Sequence, residues 1–113
     1  MHELSIAVSI LEAAEEERKR HGGNVSAIHL RLGPLAGVVK EALESAFEMA
    51  REQSSMPQAI LNIEDVAIAM RCPTCDTERE VVSMQEMRCA VCGTPARQII
   101  RGRELEIAAL ELT

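Results

Sequence analysis

Four cysteines, Cys72, Cys75, Cys89 and Cys92, form two C-x-x-C pairs with thirteen residues between them, and the chain has no others. Each short turn aims two sulfurs at one centre, and a hairpin brings the turns together, which is the pattern of a four-thiolate metal site. The turns repeat one another, Arg71-Cys-Pro-Thr-Cys-Asp76-Thr77 being echoed by Arg88-Cys-Ala-Val-Cys-Gly93-Thr94. Asp76 and Gly93 follow the second cysteines, and both tolerate the left-handed backbone that a tight knuckle requires. A zinc ribbon is expected, with the metal structural. The segment offers little apolar surface beyond Val81, Val82, Met84, Met87 and Val91, so it needs a staple to fold. Two disulfides fit less well in a chain without a secretory pattern, and a thioredoxin-type pair needs only one C-x-x-C. Ligand softness does not separate zinc from iron, so a rubredoxin-like electron carrier stays open, which colour would reveal.

A second candidate is His2. Behind a free α-amine, a histidine at position 2 presents the amine nitrogen, its own backbone nitrogen and an imidazole nitrogen in fused chelate rings. Planar nitrogen sets suit Ni(II) and Cu(II), and Glu3 adds a backbone nitrogen or a carboxylate. The other histidines read blandly, His21 as a favourable charge at a helix end and His29 as a surface residue on a strand. No Ser/His/Asp grouping or glycine-rich phosphate loop stands out. Glu64 and Asp65 are adjacent in a strand and point to opposite faces. Enzymatic function has no support in these residues.

Length and composition narrow the partners. The 113 residues hold one aromatic side chain, Phe47, and a net charge of −6. Base-stacking platforms are absent, and the charge disfavours a phosphate backbone, so nucleic acid is not expected. Residues 71–103 carry six arginines and four acids, a local +2 that leaves −8 elsewhere. Zinc held by four thiolates is a net anion, and the arginines are expected to screen it. No apolar run is long enough to span a membrane. Met1-His2-Glu3 does not open a signal peptide, so the chain is expected in the cytoplasm.

The elements that must position these residues follow from periodicity. Residues 4–21 place Leu4, Ala7, Val8, Leu11 and Ala14 on a helical stripe, with Glu15, Glu16 and Glu17 before Arg18, Lys19, Arg20 and His21, and Gly22-Gly23 as the stop. Met1, His2 and Glu3 then sit on the exposed lip of that helix. Residues 25–32 alternate as a strand with one wet face. After a break at 33–37, a second amphipathic helix over 38–51 buries Val39, Ala42, Leu43, Ala46, Phe47 and Ala50. Residues 59–66 form a strand with Leu61 and Ile63 inward. In the last strand, 104–112, Leu105 and Ile107 share one parity and Leu110 and Leu112 the other, which requires a bulge or strong twist at Ala108-Ala109. The expected fold is α+β: a three-stranded sheet with two helices packed on it, and a zinc-ribbon-like loop module inserted between the last two strands.

Met1-His2-Glu3-Leu4-Ser5, Leu30-Arg-Leu-Gly33-Pro-Leu-Ala-Gly37-Val38, Ala46-Phe47, Ile63-Glu64, the paired cysteine turns and Gly102-Arg103-Glu104-Leu105 together resemble the HypA/HybF family of hydrogenase maturation factors, over essentially the whole chain. The resemblance implies a nickel metallochaperone, not an enzyme. In that family the amino-terminal Met-His-Glu binds Ni(II), here Met1, His2 and Glu3, for transfer, and the four cysteines hold structural zinc. It implies a HypB-type GTPase and the [NiFe]-hydrogenase large-subunit precursor as partners, with urease served by some members. Residues 1–70 with 104–113 would form the nickel-binding domain and 71–103 the zinc-binding domain, in a monomer or weak homodimer. Some members carry histidines beside their cysteines. This chain has none there, so a histidine ligand exchange does not carry over. The rival from another class is a zinc-ribbon adaptor for protein or nucleic acid with no nickel role, which would be indifferent to blocking the α-amine.

Overall fold

A computed structural model describes residues 2–113. The order is α1 (Glu3–His21), β1 (Val25–Leu32), a 3-10 turn (Pro34–Ala36), α2 (Lys40–Glu52), β2 (Ile60–Asp65), β3 (Ala69–Cys72), β4 (Thr77–Glu80), β5 (Ile99–Arg101) and β6 (Leu105–Leu112). Two three-stranded sheets result, ordered β2-β1-β6 and β4-β3-β5. The α+β fold has the expected plan, with the cysteine-bearing strands inserted between β2 and β6.

The chain divides into two compact units, residues 2–31, 37–64 and 106–113 in the first, and 32–36 with 65–105 in the second. In the first, α1 and α2 pack together. Ala7, Ile10, Leu11 and Ala14 of α1 and Leu43 and Phe47 of α2 are buried with Val25, Ala27, Ile28 and Leu30 of β1. Helical spacing puts the apolar positions of each helix on one side, whereas in β1 the buried positions change parity between Ala27 and Ile28. Gly22 ends α1 at φ 79°, and its N–H donates to Arg18 O at 2.7 Å. Ser54 ends α2, its hydroxyl donating to Arg51 O at 2.7 Å and accepting from Met56 N–H at 3.0 Å.

Two expectations for the helices change. Val39 is the residue capping α2 rather than part of its inner face, and it is 59% exposed. Leu4 and Val8 are exposed as well, lining with Leu11, Met49, Ala50 and Met56 an open groove of about 690 Å³.

The expected reversal along β6 is present. On β1, His29 and Arg31 share a face; His29 Nε2 meets Glu111 Oε1 at 3.1 Å and Arg31 Nη1 donates to Glu106 Oε1 at 3.5 Å. Glu106 and Glu111 have opposite parity, so β6 turns over between them, across Ala108-Ala109. Arg31 Nε also donates to Glu64 Oε2 at 3.0 Å, tying β2 into the same polar row.

The second unit reaches beyond the expected 71–103. Its core is Ile68, Met70, Cys72, Val81 and Cys89, with Leu35, Met87, Ala96 and Ile99 packed against it. Val82, Met84 and Val91, the other apolar residues of the cysteine segment, are exposed. The loop alone has too few apolar side chains, and β3 and the 32–36 turn supply the remainder.

Candidate metal centre

β3 carries Cys72 into the site and turns through Cys75 into β4, paired antiparallel with register Met70↔Arg79 and Cys72↔Thr77. The second turn is held by bridges Val81↔Cys89 and Arg88↔Pro95. Cys89 N–H donates to Thr94 O at 2.8 Å and Gly93 N–H to Cys89 O at 2.9 Å, closing the knuckle. Asp76 at φ 54° and Gly93 at φ 80° take the left-handed backbone anticipated for them. Freed N–H groups then face sulfur, Cys75 N–H donating to Cys72 Sγ at 3.4 Å and Val91 N–H to Cys89 Sγ at 3.4 Å.

The four sulfurs lie within 4.8 Å of one another, and Cys72 Sγ and Cys92 Sγ are 3.5 Å apart. A tetrahedron of sulfurs around zinc has edges of about 3.8 Å. The cysteines are free thiols, and thiolate donors in this arrangement fit a closed zinc centre. Cys72 and Cys89 are buried, Cys75 is half-buried and Cys92 is exposed.

The sulfurs have unequal surroundings. Thr94 bonds Cys92, its hydroxyl at 3.1 Å from Sγ and its backbone adding a second bond, and the thiol is held down at about 6. Backbone bonds from Cys92 and then Val91 lower Cys89. The Arg79 guanidinium pulls Cys75 down, but its bonds with Cys92, burial, and bonds with Cys72 and Cys89 outweigh that and leave the thiol up at about 11. Thr74 and Thr94 hydroxyls meet at 2.8 Å, joining the two turns.

Of the six loop arginines expected to screen the cluster, three meet a carboxylate instead. Arg71 donates to Asp76 at 2.5 Å, Arg88 to Glu86 at 2.8 Å, and Arg101 pairs with Glu78. Arg79 bonds Cys75. Sequence reading missed Arg79, Thr74 and Thr94. The period of Thr77-Glu78-Arg79-Glu80 was the available signal for Arg79, since it places Arg79 and Thr77 on one face.

Of the candidate nickel ligands, His2 is the exposed residue preceding α1, with extended φ −92° and ψ 101° and no side-chain capping bond. Glu3 is the first residue of α1. Met1 lies outside the described residues. The first helical hydrogen bond runs from Ile6 N–H to His2 O at 3.1 Å. His21 ends α1 beside Glu17, with 3.4 Å between Nε2 and Oε2, and His29 belongs to the polar sheet row. No described helix is long and apolar enough to cross a membrane.

Residues 1–112 match a family model described as hydrogenase/urease nickel incorporation, metallochaperone, HypA. The chain is 45% identical over 112 residues to a protein of Roseiflexus sp. strain RS-1, covering 98% of this chain and 91% of the relative. It is 46% identical over 112 residues to one of Chloroflexus aggregans, covering 98% of each. Both are named hydrogenase maturation factor HypA. The solution structure of the Ni metallochaperone HypA from Helicobacter pylori superposes with a TM-score of 0.68 at 27% identity, over 99% of this chain and 97% of that one. A second HypA solution structure gives 0.72 at 27% identity, over 100% and 97%.

Proposed function

This chain belongs to the HypA family of hydrogenase/urease nickel-incorporation metallochaperones, and on that premise we propose that it binds Ni(II) at Met1, His2 and Glu3 and delivers it for [NiFe]-hydrogenase maturation. The family match over residues 1–112, which takes in both the Met-His-Glu segment and all four cysteines, carries the reading. Nickel is cargo in this scheme. Cys72, Cys75, Cys89 and Cys92 hold zinc, which supplies folding free energy and, with four thiolates around it, offers no open position for chemistry.

The start of α1 suits a nitrogen-rich nickel complex. The first N–H groups of a helix have no intrahelical acceptor. Because the helical ladder begins with Ile6 N–H to His2 O, the backbone nitrogens of His2 and Glu3 can turn to a metal without breaking a helical bond. A bare cation is disfavoured at a helix N-terminus by the macrodipole. Deprotonated amide nitrogens, or the Glu3 carboxylate, offset the charge of Ni(II) and remove that objection. An exposed His2 leaves one side of the complex open to an incoming ligand, as transfer requires. The partners that fit are a HypB-type GTPase and the hydrogenase large-subunit precursor, in the cytoplasm, and the role is delivery rather than catalysis.

The test is calorimetric titration of Ni(II) into zinc-loaded protein whose chain starts at Met1, beside a version with one extra residue in front and a His2→Ala variant. One-to-one binding by the first and its loss in the other two is the expected result. Equal binding by all three would move nickel away from His2. Failure of all three would leave a zinc-ribbon adaptor as the better reading.

A further inference from the structure

The register of the β3–β4 pair sets Arg79 opposite Met70 and Thr77 opposite Cys72. Directly opposed residues of an antiparallel pair share a face, so Arg79 lies on the side of Met70 and Cys72, both fully buried. Glu78 and Glu80, its neighbours on β4, are exposed while Arg79 is half-buried. The Nε atom of Arg79 is buried with no hydrogen-bond partner, a costly position for part of a cation unless something nearby compensates. The compensation is sulfur: the register sets Arg79 on the face that carries Cys72, and Cys75 first, then Cys89 and Cys72, raise the pKa of its guanidinium. Where Arg71, Arg88 and Arg101 each meet a carboxylate, Arg79 is turned inward to the thiols.

We propose that Arg79 is the outer-sphere cation of the zinc centre, its guanidinium holding the Cys75 sulfur in position and offsetting the negative charge of the four thiolates so that zinc is retained. The inference rests on the zinc reading given above. Its chemistry is general. Four thiolates around Zn²⁺ leave a net anion in a partly dry site, and donors to ligand atoms fix their orientation and moderate their charge. Cys75 and Cys92 are the more accessible ligands, and Cys92 is already bonded by the Thr94 hydroxyl at 3.1 Å. Arg79 does for Cys75 what Thr94 does for Cys92. A centre braced at both accessible ligands keeps its zinc while a second metal is taken up and passed on elsewhere in the chain. Arg79 is a positioning residue, acting through Cys75.

The experiment follows zinc transfer from the full-length zinc-loaded protein to a chromogenic chelator, for wild type, Arg79→Met and Arg79→Lys, with the Co(II)-substituted spectrum of each as a control on tetrahedral thiolate geometry. Loss of an outer-sphere partner typically weakens metal binding by roughly 10–100-fold, and Arg79→Met is expected in that range. Arg79→Lys should fall between Met and wild type, because it keeps a charge but lacks the fork. Transfer from Arg79→Met within about twofold of wild type would overturn the inference. So would equal losses in the Lys and Met variants, which would assign Arg79 to packing. Should the Met variant lose its tetrahedral spectrum, the Lys variant alone decides, by lying measurably nearer to wild type or not. A wild type that takes up no zinc would bring down the zinc reading itself, a result distinguishable from the other two.

Discussion

Gly33 and Gly102 cross backbone against backbone: a Cβ built on Gly33 would stand 2.2 Å from the carbonyl carbon of Gly102 and 2.8 Å from its Cα. The crossing is clamped by hydrogen bonds, Gly33 N–H donating to Glu104 O and Leu35 N–H to Gly102 O, each at 2.8 Å. Backbone meets backbone here, so no flexible side chain can move aside.

Gly33→Ala should therefore destabilise the second unit by about 1–3 kcal/mol or more, the usual range for overpacking. Gly37, at φ 75° with nothing within 4 Å of its added Cβ, is the control: there alanine meets only the conformational penalty. Thermal midpoints of the two variants should rank Gly33→Ala below Gly37→Ala, and equal midpoints would show that the crossing relaxes freely.

Phe47 is the single aromatic residue and is fully enclosed. Phe47→Ala is expected to cost about 3–5 kcal/mol, the range for emptying such a site, and Phe47→Leu about 1–1.5 kcal/mol, in line with better-tolerated apolar exchanges. Urea unfolding followed by far-UV circular dichroism measures both, and a Phe47→Ala cost under 1 kcal/mol would contradict the burial.

Glu15 accepts from Arg18 Nε at 3.1 Å and from the Ser55 hydroxyl, and these bonds, Arg18's first, hold its carboxyl down from 4.5 to about 2. A folded pKa below the unfolded one means stability that is present at neutral pH and lost as pH falls from about 4.5 toward 2. The gap in urea midpoint between wild type and Glu15→Gln should be constant above pH ~5 and close through that acid window. A gap independent of pH would mean that the carboxylate charge is not what the two donors recognise.

Stripping zinc, or replacing Cys72 or Cys89 with serine, should unfold the β4-β3-β5 sheet while the helical signal of α1 and α2 persists. Structural zinc supplies on the order of 10 kcal/mol in small domains, more than a core of Ile68, Met70 and Val81 can replace. Hydrogen exchange would show it as a fall of more than about a hundredfold in protection at residues 69–72, with amides of residues 43–47 still protected. Unchanged protection at 69–72 would make the metal dispensable for folding.

The parts legible in the sequence were those with a repeating signal. Cysteine spacing located the metal centre, helical steps located α1 and α2, and the parity change from Ile107 to Leu110 located the reversal that His29–Glu111 and Arg31–Glu106 exhibit. β3 was not legible, because Ala69–Cys72 is too short to alternate and Leu35, which packs on the core it contributes to, is remote in sequence. Val39 reads as buried because it falls on the apolar stripe of α2, but it precedes the first helical residue as the N-cap and is exposed. Arg79 was missed for a different reason: a lone arginine among glutamates looks solvated, and only pairing with β3 turns it toward sulfur.

The second unit is stitched from two stretches of chain, 32–36 and 65–105, and this limits how it can travel. A peptide cut at 65–105 would leave behind Leu35, which packs on the core, and Leu32, whose carbonyl accepts from Val66 N–H at 2.9 Å. It would also free Glu104 O and Gly102 O, the acceptors for Gly33 and Leu35. The cysteine loop is therefore not a cassette that recombination can lift intact into another protein, even though its four ligands are contiguous enough to look like one.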